Sequence, residues 1–92
     1  MPDNPHVPVT PSSLPTLGRV LRAYRTAAGL TQEALGYRTG LARNYVGVVE
    51  RGEANISFTA MERWLSATGI TWERLGRELH DALDQTDVSG IK

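Results

Sequence analysis

Glycines at positions 29, 40 and 52 divide the middle of this 92-residue sequence into short segments with the apolar spacing of helices. Across residues 17–28 the apolar side chains recur at intervals of three and four, so one face of a helix is apolar. Gly29 then ends that helix, because glycine accepts the left-handed conformation found just past many helix ends. No segment alternates as a strand does, and the sequence therefore predicts an all-α fold.

Two short helices are predicted on either side of Gly40. Thr31 is suited to cap the first of them, since its hydroxyl accepts a hydrogen bond from an amide of the first turn. This helix is predicted over residues 32–37, and the next one ends near Arg51. The apolar stripe of the latter consists of Leu41, Val46 and Val49. Two short helices joined by a turn that contains glycine are typical of a helix-turn-helix.

Two more amphipathic helices follow, which brings the predicted total to five. The fourth is capped either by Ser57 or by Thr59 paired with Glu62, and the sequence leaves both caps open. The fifth begins after Thr71 as its N-cap. The apolar positions of these two helices are Phe58, Met61, Trp64 and Leu65, then Trp72, Leu75, Leu79, Ala82 and Leu83.

The two ends of the chain differ from this helical part. All five prolines lie within the first fifteen residues, where they remove backbone donors and favour extended conformations. Residues after 84 are polar and lack helical periodicity. We therefore expect a flexible arm over residues 1–15, one domain over residues 16–84 and a flexible tail over residues 85–92.

Composition excludes several classes of protein. The sequence contains no cysteine, so a disulfide framework, a thiolate metal site and a cysteine nucleophile are all ruled out. His6 lies in the proline-rich arm and His80 stands alone, so no nucleophile and base pair points to an enzyme. No apolar run is long enough for a membrane span and no secretory signal is present, which predicts a cytoplasmic protein. The sequence indicates no metal, cofactor or small-molecule ligand.

Charge is distributed unevenly along a chain whose formal net charge is zero. Residues 17–52 carry six arginines and two glutamates, a net charge of +4. Residues 53–92 carry a net charge of −3. Phosphate neutralisation by basic side chains supplies most non-specific affinity for DNA. This pattern favours one surface that faces nucleic acid and another that does not, with random scatter of charge as the alternative.

Several motifs carry a resemblance to a known family. They are Leu30-Thr31-Gln32-Glu33 with Leu35, Gly40 in the turn, Tyr45-Val46, and Glu50-Arg51-Gly52. Through them the stretch LGRVLRAYRTAAGLTQEALGYRTGLARNYVGVVERGEANIS resembles the Xre, or lambda-repressor and Cro-like, helix-turn-helix family. The residues from Arg43 to Ser57 look especially like controller proteins of restriction-modification systems. The resemblance implies a five-helix lambda-repressor-like domain that regulates transcription. Ala42 and Gly36 depart from the family pattern, which has a small polar residue and an alanine there.

The third helix is the predicted reader of base sequence, because the major groove admits a single α-helix. Its outer face, which the apolar stripe does not need for burial, consists of Arg43, Asn44, Gly47 and Val48. Arg43 has the forked donors that match guanine, with a contact to phosphate as the alternative. Asn44 matches adenine, and Val48 suits a thymine methyl. Gly47 either lets the helix approach DNA closely or is an indifferent surface position.

Other polar residues are candidates for contacts with the DNA backbone. They are Gln32, Arg22, Arg38, Arg51, Asn55 and Ser57. Gln32 stands at the start of a helix, where free amides attract phosphate, and its side chain is also placed to orient Asn44. Asn55 and Ser57 have short neutral donors, with a plain turn or helix cap as the alternative. For each arginine the alternative is a solvated surface side chain.

The family resemblance also implies an ion pair between Arg25 of the first helix and Glu50 at the end of the third. A single short helix reads only a few base pairs, so we expect a homodimer on palindromic double-stranded DNA. Candidates for the dimer interface are Trp64, Trp72, Leu75, Leu79 and Leu83, with core packing as the alternative. The rival function is an antitoxin or protein-binding adaptor that uses the same helical domain.

Overall fold

The computed structural model describes residues 13–91, and side-chain surroundings for residues 13–85. Five helices follow one another and no strand occurs among these residues, so the predicted all-α fold is confirmed. The helices are α1 (Ser13–Ala27), α2 (Gln32–Thr39), α3 (Arg43–Glu50), α4 (Phe58–Thr68) and α5 (Trp72–Ile91).

Both terminal helices are longer than the sequence predicts. α1 begins at Ser13, so residues 13–15 of the predicted arm are helical, and residues 1–12 lie outside the described part. Pro15 fits there because the first turn of a helix leaves its amides without intrahelical acceptors. α5 continues to Ile91 and covers most of the predicted tail. Adding residues to an established helix costs far less than starting one, so weak periodicity alone does not end α5.

The helix-turn-helix unit depends on its caps and on one glycine turn. The Thr31 hydroxyl accepts from the Ala34 amide at 3.0 Å, as predicted. α2 runs to Thr39, two residues beyond the predicted end, and Gly40 then adopts φ 76°, which favours glycine. Ala42 caps α3 without a side-chain hydrogen bond. A Cβ atom on Gly36 would lie 2.6 Å from the Leu41 carbonyl oxygen, which explains the departure from the family's alanine.

The later caps settle the choice that the sequence leaves open. The Ser57 hydroxyl accepts from the Ala60 amide at 3.1 Å, so Ser57 caps α4. The Thr71 hydroxyl accepts from the Arg74 amide at 3.0 Å, which confirms Thr71 as the cap of α5.

The core lies where α1, α2, α3 and α4 meet. Its fully buried side chains are Leu21, Leu35, Val46, Trp64 and Leu65. Trp64 donates its indole N–H to the Leu21 carbonyl at 3.1 Å, so both its ring and its polar atom are satisfied inside the fold. Leu75 of α5 is also buried. Trp64 and Leu75 therefore pack within one molecule, so core packing, the alternative that the sequence leaves open, holds for both and neither is available for a dimer interface.

α1 and α3 approach each other backbone to backbone. The approach is possible because Gly18 has no side chain: a Cβ atom there would collide with the carbonyl oxygens of Val49 and Glu50. α1 thus fixes the position of the end of α3.

A second contact fastens α5 to α1. The Tyr24 hydroxyl donates to Glu78 Oε1 at 2.5 Å, and Arg74 Nε donates to Glu78 Oε2 at 2.9 Å. Burial and the hydrogen bond to Glu78 raise the pKa of Tyr24 to about 12. The hydrogen bonds from Tyr24 and Arg74 lower the pKa of Glu78. The charged form of Glu78 is therefore the one that holds the two helices together.

Replacing Tyr24 with phenylalanine should lower the free energy of unfolding at neutral pH. The difference from wild type should shrink as pH falls, because Glu78 stabilises the fold above its ordinary pKa of 4.5 and loses that contribution on protonation. Above pH 10 the wild type should lose stability, since the unfolded tyrosine ionises there while the folded one does so near 12. Urea unfolding from below pH 4.5 to above pH 10 measures both changes in stability, with Tyr37→Phe as an exposed control. A difference independent of pH would contradict the role of Glu78.

Candidate nucleic-acid interface

The outer face of α3 carries the predicted base-reading residues. Arg43 and Asn44 are the first two residues of the helix and are exposed, while Val48 is half-buried. They line one open depression on the surface, together with Gln32, Gly47 and Arg51. The structure therefore brings the four base-reading candidates together at one place.

Gly47 differs from the other three because it is buried. A Cβ atom built on Gly47 would lie 3.2 Å from Nη1 of Arg51 and 3.8 Å from the side-chain amide of Gln32. These two side chains cover the glycine, so it is not the indifferent surface position that the sequence leaves open.

A buried ion pair holds α3 against α1. Arg25 Nε donates to Glu50 Oε2 at 2.6 Å and Nη2 donates to Oε1 at 3.0 Å, and these side chains are only 9% and 3% exposed. Arg25 also donates to the Leu30 carbonyl at 2.7 Å. The predicted pair is confirmed, in the two-pronged geometry that makes arginine and carboxylate pairs specific.

Gln32 joins this pair rather than Asn44. Its Nε2 donates to Glu50 Oε1 at 3.0 Å, so Glu50 receives hydrogen bonds from both α1 and α2. The sequence predicts that Gln32 orients Asn44, but in the structure the side chain of Gln32 hydrogen-bonds to Glu50 instead. Glu50 ties the first residue of α2 to the last residue of α3, which fixes the angle between these two helices.

The predicted backbone contacts fall into two groups. Arg22 and Arg51 line a second depression with Arg25, Gln32 and Glu50, next to the outer face of α3. Arg38 lies apart, in a depression between α2 and α4 that Glu62 and Arg63 also line. The structure thus groups Arg22, Gln32 and Arg51 and separates Arg38 from them.

The loop between α3 and α4 is held by a residue that sequence reasoning missed as a site residue. The Tyr45 hydroxyl donates to the Asn55 carbonyl and accepts from the Ser57 amide, both at 3.3 Å. Its only signal in the sequence is its place in the family motif. Asn55 remains exposed, whereas Ser57 uses its hydroxyl to cap α4.

The described residues contain neither a membrane-spanning helix nor a cluster of metal ligands. No helix among them is long and apolar enough to cross a membrane. No group of three or more histidine, aspartate or glutamate side chains is placed there to hold a metal ion.

Removing one partner of the buried pair should destabilise the protein strongly. Arg25→Ala or Glu50→Ala should each cost about 3–5 kcal/mol, because each leaves a charge without its counter-ion inside the fold. The double variant should cost at least about 1 kcal/mol less than the sum of the two, measured by urea unfolding. The exposed pair of Arg51 and Glu53, 3.1 Å apart, is the control cycle and should couple by less than about 1 kcal/mol. Additive losses at Arg25 and Glu50 would refute the coupling.

A family model and several known proteins match this chain. The family model described as a helix-turn-helix domain matches residues 16–83. The crystal structure of the restriction-modification controller protein C.AhdI from Aeromonas hydrophila has a TM-score of 0.66 and 42% sequence identity, and covers 70% of this chain and 97% of that chain.

Two other controller proteins resemble this chain, one in sequence and one in fold. Control protein C.SmaI of Serratia marcescens is 40% identical over 45 residues, which is 49% of this chain and 54% of the relative. The controller protein C.Esp1396I, as a tetramer in complex with its natural 35 base-pair operator, has a TM-score of 0.69 and covers 76% of this chain and 92% of that chain. At 24% identity the likeness to C.Esp1396I shows the fold alone.

The chain spans about half the length of the curated relatives that it matches. The family model nevertheless covers most of the sequence, and C.AhdI is matched over nearly its whole length. This chain therefore belongs to the helix-turn-helix domain family, in which it is similar to the controller proteins of restriction-modification systems.

Proposed function

We propose that this protein is a sequence-specific DNA-binding transcriptional regulator that binds a palindromic operator as a homodimer. The observation that carries the proposal is the exposed start of α3, where Arg43 and Asn44 project from a helix whose other end is fixed by the buried pair of Arg25 and Glu50. A rigidly held helix with forked donors at its start suits the floor of the major groove.

In this proposal the residues of α3 divide the reading between them. Arg43 donates to guanine O6 and N7, Asn44 pairs with adenine N6 and N7, and Val48 contacts a thymine methyl. These contacts distinguish base pairs because each pair shows its own donors and acceptors in the major groove.

Contacts with phosphate would fix the register of α3 on the duplex. Arg22 and Arg51 line the depression next to the reading face, and the free amides at the start of α2, beside Gln32, favour an anion. Asn55 is exposed in the loop after α3. Such contacts orient the protein without reading sequence. Arg38 lies on another surface and has no part in this scheme.

The class of regulator follows from the relatives. C.AhdI and C.SmaI are controller proteins, and we propose that this chain likewise controls a restriction-modification operon. The proposed activity needs no catalytic residue, metal or small-molecule cofactor. A bacterial operator lies in the cytoplasm, and the protein would act there.

The proposed dimer interface differs from the one that the sequence suggests. Trp64 and Leu75 are buried, which leaves Trp72, Leu79 and Leu83 as the candidates. Trp72 stacks on Phe58, which the sequence assigns only to the apolar face of the fourth helix, with ring centroids 5.0 Å apart and planes 9° apart. The two rings are 44% and 71% exposed. An exposed aromatic pair at the start of α4 and α5 is well suited to bury itself against a second copy of the chain.

Replacing Arg43 with alanine should lower operator affinity by about 1–3 kcal/mol and relax one position in each half-site. The operator is first selected from a random duplex pool, and affinity is then followed by fluorescence anisotropy at several salt concentrations. Log affinity of the wild type should fall steeply with log salt, because phosphate contacts release counter-ions. Arg77→Ala, an exposed arginine of α5, is the control. If the wild type selects no duplex and binds without salt dependence, the regulator proposal fails.

Replacing Trp72 with alanine should weaken dimerisation by more than about 20-fold, because a stacked aromatic residue at the centre of an interface contributes a large share of the binding energy. Sedimentation equilibrium measures the dissociation constant. Tyr37→Ala removes an exposed aromatic side chain from α2 and should leave the dimer intact. Equal effects of both substitutions, or none at Trp72, would place the interface elsewhere.

A further inference from the structure

The middle of the reading face has no side chain of its own. Arg43, Gly47 and Arg51 stand four residues apart along and just beyond α3, so they form one row on its surface. Arginines thus occupy both ends of the row and a glycine occupies its centre.

The side chain of Arg51 fills the place that Gly47 leaves. Its Nη1 lies 3.2 Å from the position that a Cβ atom of Gly47 would take, which is tighter than ordinary contact. The next nearest atoms are the two ends of the Gln32 side-chain amide, both at 3.8 Å, so the nearest neighbours of that position are flexible side chains. A side chain at position 47 would therefore displace the guanidinium of Arg51 from the position that it takes beside the glycine.

Glu53 holds the guanidinium from the other side. Its Oε1 accepts from Arg51 Nε at 3.1 Å, and the two side chains are each 58% exposed. This bond uses the inner nitrogen of the guanidinium. Within the described residues the terminal nitrogens of Arg51 make no hydrogen bond, so their donors are available for a ligand.

We propose that Gly47 leaves the space in which the guanidinium of Arg51 lies, so that this guanidinium meets DNA at the centre of the reading face. Glu53 is the positioning residue that holds the guanidinium there. The inference rests on the proposed regulator function and deepens it. The ligand is a pair of hydrogen-bond acceptors on the operator, which a guanine edge and a phosphate both provide. Gly47 itself makes no contact with a base in this arrangement.

The first test is a double-variant cycle that distinguishes two roles of Gly47: making room for Arg51, and lying directly against DNA. Gly47→Ala should lower operator affinity by about 5- to 150-fold, and Arg51→Ala should do the same. The double variant should be no worse than Arg51→Ala alone, because both changes remove one contact. If Gly47→Ala lowers affinity equally when Arg51 is already absent, the added methyl group clashes with DNA itself and the proposal is overturned.

Loss of folded protein would not explain the expected loss of affinity in Gly47→Ala. The groups near Gly47 are the ends of two flexible side chains, and alanine favours a helix more than glycine does. The melting temperature of Gly47→Ala should therefore equal or exceed that of the wild type while binding is lost. A lower melting temperature with unchanged binding would overturn the proposal.

The second test concerns Glu53. Glu53→Gln should reduce the preference for operator over mixed-sequence duplex, and this reduction should vanish when Arg51 is alanine. Glu62→Gln, which removes an exposed acid on α4, is the matched control and should leave the preference unchanged. A reduction that persists without Arg51 would show that Glu53 acts on DNA directly, against the proposal.

Repeating the selection from a random pool with Arg51→Ala identifies the acceptor. Relaxation at one operator position indicates a guanine edge, and a uniform loss across sequences indicates a phosphate. Affinity equal to that of the wild type would overturn the inference alone, since the wild type would still have selected an operator. If the wild type selects none, the regulator proposal fails and the inference fails with it.

Discussion

The buried hydrogen bonds between Arg25 and Glu50 determine where the reading helix lies. Glu50 ends α3, and it receives hydrogen bonds from Arg25 of α1 and from Gln32 of α2. A buried carboxylate without these donors would be costly, so the three helices must meet in this arrangement. Gly18 contributes the space, because only a residue without a side chain lets α1 reach the carbonyl groups at the end of α3. Charge pairing and close backbone approach thus act on the same helix end.

α1 also connects the reading helix with α5. One part of it meets α3 through Gly18 and Arg25, and Tyr24 fastens α5 through Glu78. The stacked rings of Phe58 and Trp72 lie at the starts of α4 and α5, and neither residue lines the depression on the outer face of α3. DNA reading and self-association are therefore proposed for separate surfaces of one framework.

Local signals in the sequence predicted most of the fold. Helix periodicity, the caps at Thr31 and Thr71 and the turn at Gly40 depend on neighbouring residues, and each was confirmed. The pair of Arg25 and Glu50 came from the family resemblance, since nothing local links residues so far apart. Periodicity shows that a face is apolar but not what covers it, which is why the sequence leaves both core packing and a dimer interface open for Trp64 and Leu75. The role of Gly18 could not be predicted for a similar reason, because its neighbours come from the distant end of α3.

The uncapped start of α3 has a consequence for how this protein tolerates change. Ala42 provides no side-chain acceptor, although an oxygen-bearing residue there would add about 1 kcal/mol of stability. The amides of that first turn stay open to solvent at the end that the proposed function directs towards nucleic acid. A serine or aspartate at 42 would stabilise the free molecule while occupying amide hydrogens at the end of α3 that the proposed function directs towards DNA. A substitution at position 42 that raises thermal stability should therefore weaken the proposed binding to DNA.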